Sequence, residues 1–579
     1  MIFNIKHTIF AAVALSATVA IGQTTEEEED RLNGGTITVV KPYDPTISDA
    51  FKVKSNPTFS DTTKVNKKPV AYSIFSVPVA STFTPAKAGL SRLRPAQRAQ
   101  YFKNYARLGL GNYLNVLGEF GANFEIDRDS DVGVFFNHNS SQGGINDVVA
   151  DDGFSDTSLD VSYGKRTRGM NWGITAGARH QAANLYGGYE FAANSLTEDT
   201  DVGFNYLSYG LGGKATFFDS VIKDVDLNFR GTSSSFDASE IRFSALPQLG
   251  FDILETEVAL GLEIDYLSGS FDTQGLILAP EDYSYLKGGL NPAINLYGDN
   301  YKVRLGAIVN YLNSTSGDLS DSEVFIYPDV TASYIVVEEK FIPYVRIGGG
   351  LDMNSLQDFA DENVFLAPAI TVAPTDRSLD AQLGFKGKLS ENFGYQVFGG
   401  YRIENNRYFY NKDSGSAMIT GTEVAAYEYG NVFYTQYGDM NTVLYGATLS
   451  YDVNTAFNLT LSAKGFSYDV ENGDAFFNIP SHLPEFTADL VGNYQINDKW
   501  NVGTTLYYVG QREAFRAGAG FEPLDSFVDL NIDVNYKINP KLTAFLRGQN
   551  LTGGNYEYFL DYPVQDLQIL GGAVYKFDF

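Results

Sequence analysis

The sequence predicts an all-β fold: a transmembrane antiparallel β-barrel of about 22 strands behind a short, mostly irregular N-terminal segment. Three observations carry this. From about residue 105 onward, segments of roughly ten residues alternate apolar with polar side chains, the period-two rhythm of a strand with one greasy and one wet face. The connections between segments come in two sizes, short turns and long loops, as in barrels whose two ends face different compartments. After residue 22, no stretch approaches the ~18 apolar residues of a spanning helix. A chain without such a helix can enter lipid only as a closed barrel, because every backbone polar group there must be paired.

At the N-terminus, Lys6 and His7 precede the uncharged run 8–21, which ends in small residues, with Ala20 and Gly22 at the expected cleavage site. Residues 1–22 therefore read as a secretory signal peptide, and the mature chain is expected to begin at Gln23. Residues 23–104 read as a periplasmic or lumen-occupying segment, and residues 105–579 as the barrel. The run 36–40, made of Thr36, Ile37, Thr38, Val39 and Val40, is a short β-rich stretch near the mature N-terminus. Between Asp61 and Glu119 the chain holds nine bases and no acid. The chain as a whole carries 42 Lys+Arg against 70 Asp+Glu, a net charge of −28. A cationic stretch on an anionic barrel could be drawn into its mouth, so residues 60–103 are expected to occlude part of the lumen.

Among the barrel segments the clearest is 527–538, where Val528, Leu530, Ile532, Val534, Tyr536 and Ile538 share one face. Asp529, Asn531, Asp533 and Asn535 share the other and are expected to face the lumen, as is Asp489 in the segment 486–496. The polar faces are rich in Asn, Asp, Gln, Thr and Gly rather than Lys and Glu, which suits a hydrated lumen better than a soluble sandwich. Segments are expected to begin near Tyr105, Leu117, Asp131, Thr157, Asn171, Phe204, Asp224, Glu240, Glu257, Leu286 and Tyr301. The remainder begin near Val324, Phe341, Ser378, Phe393, Val432, Ala456, Phe486, Trp500, Phe527, Leu542 and Leu567. Short turns fall at 389–393, 453–457, 496–500 and 538–542, and long connections at 470–484 and 511–524. A barrel of this size has a lumen wide enough to conduct or to need a plug.

Composition excludes several functions. With no Cys there is no disulfide, thiolate metal site or cysteine nucleophile. A net charge of −28 argues against nucleic-acid binding, which needs cations to displace counterions from phosphate. No phosphate-binding, dinucleotide, zinc-protease or serine-hydrolase motif is present, so no cofactor and no enzyme activity is expected. His138 beside Ser140 and Ser141 is the one local candidate for a barrel-borne hydrolase, and such chemistry would need a base within hydrogen-bond reach and a third group to orient it. The acid pair Asp151–Asp152 could offer hard oxygens to a cation, but no calcium-loop spacing surrounds it.

The C-terminal residues carry a resemblance. The last segment ends with Tyr575, Phe577 and Phe579 at alternate positions, which resembles the insertion signal recognised by the outer-membrane barrel assembly machinery. Residues 541–563 resemble the penultimate hairpin of TonB-dependent receptors, in which an Asn-Leu pair, a Tyr and a Tyr-Pro recur; the matching positions are Asn550, Leu551, Tyr556, Tyr562 and Pro563. Upstream, Leu110–Tyr113 and His138–Ser141 look like the opening of plugless barrels of that kind from Bacteroidota-type genomes. The resemblance implies a TonB-dependent-receptor-like outer-membrane barrel with a reduced or missing plug domain, since residues 23–104 are too short and unpatterned for a full one. It implies transport of a solute across the outer membrane, with outer-membrane lipid, the assembly machinery and TonB or other outer-membrane proteins as partners. Residues Thr36–Val40 loosely resemble the TonB box. The alternative is a structural or accessory barrel within an outer-membrane protein complex.

Overall fold

The computed structural model describes residues 102–578, apart from 189, 191–194, 254–255, 272–281, 318, 416–424, 454–455 and 472–478. The signal peptide, the TonB-box-like run Thr36–Val40, nearly all of the cationic segment 60–103, and Phe579 lie outside the described residues.

One antiparallel sheet dominates and closes on itself. Its first strand, Asn104–Gly111, pairs with Val116–Asp127 on one edge and with the last strand, Gln568–Phe577, on the other. Closure removes both free edges, so each strand of the wall is paired on either side. The sheet has 24 strands, of which Arg512–Arg516 and Gly520–Leu524 form a hairpin inside a loop, leaving 22 in the barrel wall. All 22 begin within about five residues of the positions that alternation predicts. No helix among the described residues is long and apolar enough to cross a membrane; the strands make the crossing.

Register assigns the two faces. Asn137 pairs with Ser158, and Ser158 with Arg179, whose guanidinium reaches a segment inside the barrel; these residues face the lumen. Their sequence neighbours face outward. On the strands Phe154–Arg166, Met170–Asn184 and Gly203–Phe217 the outward set is Leu159, Val161 and Tyr163; Trp172, Ile174 and Ala176; and Leu207, Tyr209 and Leu211. Many of these side chains are exposed, Leu211 at 53%, which in a membrane barrel means exposed to lipid. Aromatic pairs collect at the short-turn end: Tyr163 with Trp172 at 5.3 Å between ring centres, Trp500 with Tyr536 at 4.6 Å, and Phe457 with Tyr494 at 5.8 Å. Amphipathic rings at this level form the girdle that holds a barrel in register with the bilayer.

At the other end the described loop residues pack on one another. The main cluster of buried apolar side chains lies not in the wall but at the long-loop end, where Leu185, Leu356, Phe359, Leu366, Phe433 and Tyr562 are among those almost fully enclosed.

Candidate functional site

Between the strands Ile342–Asp352 and Thr375–Ser390 the chain leaves the wall for 22 residues, 353–374. The wall is bulged where it leaves, at Gly348/Gly350, Asp376/Leu379 and Glu404/Arg407. A bulge twists a strand and re-aims the chain beyond it. The excursion carries the one α-helix among the described residues, Leu356–Glu362, here α1. Ser355 caps it: its hydroxyl accepts the Asp358 amide at 3.1 Å, and the Asp358 carboxylate in the first turn suits the positive end of the helix.

The segment crosses the lumen. On one wall, Arg179, Arg230 and Arg242 hold the carboxylates of α1: Arg179 to Asp361 at 2.6 Å, Arg230 to Asp358 at 2.9 Å and Arg242 to Asp358 at 3.4 Å. Tyr206 donates to the Val364 carbonyl at 3.3 Å, and Tyr285 to that of Val372 at 2.7 Å. From the strands Phe393–Lys412 and Phe433–Val453, Tyr408 donates to Glu362 at 2.6 Å, and Phe433 exchanges backbone bonds with Phe365 and Ala367. In a closed ring of strands, a segment that touches all of these spans the interior. Its apolar face is formed by Leu356, Phe359 and Ala360, each 3% exposed or less.

Other loops lock onto it. The ring of Tyr562 stacks on Phe365 with centres 3.7 Å apart, and Tyr186 packs edge-on at 4.8 Å. Beneath them lies a buried charged knot. Lys412, with no exposed surface, donates to the carbonyls of Gly187 at 2.7 Å and Leu560 at 2.8 Å and pairs with Asp561 at 3.1 Å. Arg516, 1% exposed, pairs with Asp561 at 2.8 Å and with Glu522 at 2.6 Å. Burial raises the Asp561 carboxyl, but Lys412 and Arg516 outweigh it and hold the group below the usual carboxylate range. Gly187 fits because it lacks a side chain; a Cβ there would sit 2.5 Å from the Tyr562 ring and 2.6 Å from the Asp561 carbonyl. His482 completes the knot: its Nδ1 lies 3.1 Å from the Tyr410 carbonyl, and its Nε2 accepts the Leu560 amide at 3.3 Å. Burial, with Arg512 and Lys412 nearby, pushes its pKa down to about 3, so the ring is neutral.

Beside α1 the lumen holds a cavity of about 760 Å³. Asn137, Asp156, Asp160, Arg179, Asn228 and Gln357 contribute to its polar lining. Arg179 there is clamped by Asp156 through two hydrogen bonds at 2.8 and 2.6 Å, and Arg242 by Asp265. The cations that line it are paired, while Asp160 has no salt bridge among the described contacts, so the lining offers polar donors and acceptors with a residual acidic group.

The positions expected from sequence to face the lumen lie elsewhere on the wall. Asp489, Tyr507 and Asp529 stand in register across three strands, on the face opposite Val528. Asp533 pairs with Arg547 at 2.7 Å, and Asp529 accepts from Tyr556 at 3.1 Å. Asn531 accepts the Asn550 amide at 3.1 Å, and Asn535 pairs in register with Asn501. None of these approaches α1. Tyr575 and Phe577 lie on the closing strand with rings 5.8 Å apart, and Tyr575 is 48% exposed. Asn550, Tyr556 and Tyr562 sit in the loop that returns to that strand, where Tyr562 stacks on Phe365. The carboxylates of Asp151 and Asp152 accept backbone amides of their own loop, those of Gly153 and Ile145. Sequence reasoning missed α1 and its three arginines. Two signals pointed to them: the Ser355–Asp358 cap, and the long gap between the segments expected at Phe341 and Ser378.

The fold and its crossing segment define a class: a large transmembrane barrel whose lumen is crossed by an inward-folded loop. No protein-family model matches the sequence, and no curated protein matches it. Solved structures do. The chain is similar to the ferric-catecholate import receptor Fiu from E. coli K12, with a TM-score of 0.60 and 11% identity over 83% of this chain and 82% of that one. The FrpB iron transporter from Neisseria meningitidis gives 0.64 and 10%, with the same coverage. The pyoverdine outer membrane receptor FpvA from Pseudomonas aeruginosa gives 0.60 and 12%, over 83% and 79%. At these identities the likeness is one of fold, a closed antiparallel barrel of 22 strands.

Proposed function

We propose that this protein is an outer-membrane transporter barrel of the TonB-dependent-receptor type, captured with its outer mouth closed. One observation supports this above the others: the lumen of a 22-strand barrel is crossed by a segment held to the wall partly by ion pairs. The long loops meet the solute, the polar cavity beside α1 receives it, and Asp489, Asp529, Asn531, Asp533 and Asn535 line the path beyond. Coupling to TonB through Thr36–Val40 belongs to the same proposal, as does export by the signal peptide.

The test is conductance. Replacing residues 354–373 by a short Gly-Ser linker is expected to convert a nearly silent protein into one with large, stable steps in planar bilayers. If that variant and the parent conduct alike, the gate reading fails. The accessory reading draws on the apolar core that seals the loops together. It requires that neither protein pass sugar in a liposome-swelling assay.

A further inference from the structure

The outer wall carries a group of polar residues that transport leaves unused. On the strand Ser130–Ser141 the outward side chains are Val132, Val134, Phe136, His138 and Ser140. On this strand the outward apolar run therefore ends at Phe136, and His138 and Ser140 follow it towards the long loops. The rows in register set these polar residues as a patch among outward apolar side chains. Phe136, Leu159 and Ala178 lie side by side; in the next row Gly118, His138, Thr157 and His180 are flanked by the exposed Leu108 and Leu207, and beyond it Ser140 and Ser155 are flanked by Val116 and Ala182. His138 thus stands in a polar patch on the outward face, bordered by exposed leucines.

Its two ring nitrogens are both engaged. Nδ1 lies 2.8 Å from the Thr157 hydroxyl on the neighbouring strand, and Nε2 lies 3.1 Å from the Ser140 hydroxyl on its own. In the tautomer protonated at Nδ1, that N–H donates to Thr157, which fixes the ring. Nε2 is then left as acceptor for the Ser140 O–H. A nucleophile with a base in hydrogen-bond reach, and a third group orienting the base, is the arrangement serine acyl transfer requires. Gly118 beside His138 adds no side chain; a Cβ there would touch the His138 Cβ and the Leu108 Cδ2, each at 3.9 Å. Strand spacing alone explains the arrangement: residues two apart share a face, and the register brings Thr157 alongside.

We propose that Ser140, His138 and Thr157 form a lipid-facing esterase site whose substrate is the carboxylic ester of an amphiphile seated at the membrane surface. Ser140 Oγ attacks the ester carbonyl carbon as His138 Nε2 takes its proton. Collapse breaks the bond to the alcohol oxygen, which leaves with that proton, and an acyl group stays on Ser140. Water, deprotonated by His138, then releases the carboxylic acid and regenerates the serine. Ser140 and His138 are the catalytic residues; Thr157 is a positioning residue.

The experiment uses the full mature protein in phosphatidylcholine vesicles, with heat-modifiable gel mobility reporting the fold of every variant. A fluorophosphonate probe is expected to label Ser140, located by peptide mass spectrometry, and Ser140→Ala is expected to abolish that label. His138→Ala is expected to slow labelling at least 100-fold, and Thr157→Val about tenfold, with recovery in Thr157→Asn, which restores an acceptor for Nδ1–H. Release of fatty acid from the vesicles, against release from a water-soluble nitrophenyl ester, distinguishes a lipid substrate from a soluble one. No labelling of the folded parent, or labelling that ignores His138→Ala, overturns the proposal. Conductance of the residue 354–373 replacement is measured separately, so failure here leaves the transport reading standing.

Discussion

His482 shows how one buried side chain ties the mouth to pH. Its Nε2 accepts a backbone amide and its Nδ1 faces a carbonyl, so the site is built for the neutral ring. Its folded pKa of about 3 lies below the ordinary value of 6.5, so an opened mouth binds the extra proton and the closed one does not. The penalty is absent above about pH 6.5 and grows as pH falls towards 3. At pH 5 it amounts to about 2 kcal/mol. Limited proteolysis of the loops is expected to be faster at pH 5 than at pH 7.5, and His482→Gln is expected to flatten that difference. Asp561 makes the opposite case. Removing it by Asp561→Ala takes the carboxylate from Lys412, which is fully enclosed, while Arg516 keeps Glu522. An uncompensated buried cation costs about 3 kcal/mol or more, so the same proteolysis should show loops open at neutral pH.

The helix α1 and its crossing segment raise a question of magnitude: which holds the gate, charge or burial? The three arginine pairs have carboxylates 41–44% exposed, so each contributes about 0.5–1 kcal/mol and weakens with salt. Phe359 is 1% exposed and Leu356 2%, and each large buried apolar side chain contributes about 2–3 kcal/mol. Burial therefore dominates. Phe359→Ala is expected to raise open probability in bilayers more than the double change Asp358→Asn with Asp361→Asn. Only the double variant should lose sensitivity to ionic strength. The strands were legible in the sequence because period-two alternation is local and the solvent on each face is uniform. The same logic hid α1, whose apolar face pairs with loops far away in sequence; nothing local announces that Phe365 meets Tyr562 or that Lys412 meets Gly187. His138 was visible as a candidate beside Ser140, but its partner Thr157 is set by register between strands, which no spacing within one strand reveals.

Charge decides what an open barrel would pass. The chain carries −28; Asp156 and Asp160 line the cavity beside α1, and we propose that Asp489, Asp529 and Asp533 face the lumen as well. Some of these are neutralised by arginine: Asp156 by Arg179 and Asp533 by Arg547. Among the described contacts, Asp160 and Asp489 have no cation pairing of this kind, so the lumen keeps an acidic excess. Such a field acts over about one Debye length, ~10 Å at 0.1 M salt and ~3 Å at 1 M. Once residues 354–373 are replaced, the pore is therefore expected to prefer potassium over chloride at 0.1 M, with most of that preference gone at 1 M. Reversal potentials under a salt gradient measure both. A pore that stays selective at 1 M would mean a narrow, desolvated constriction persists below the gate, and equal permeability at 0.1 M would mean the inward acids are balanced by cations brought from another part of the chain.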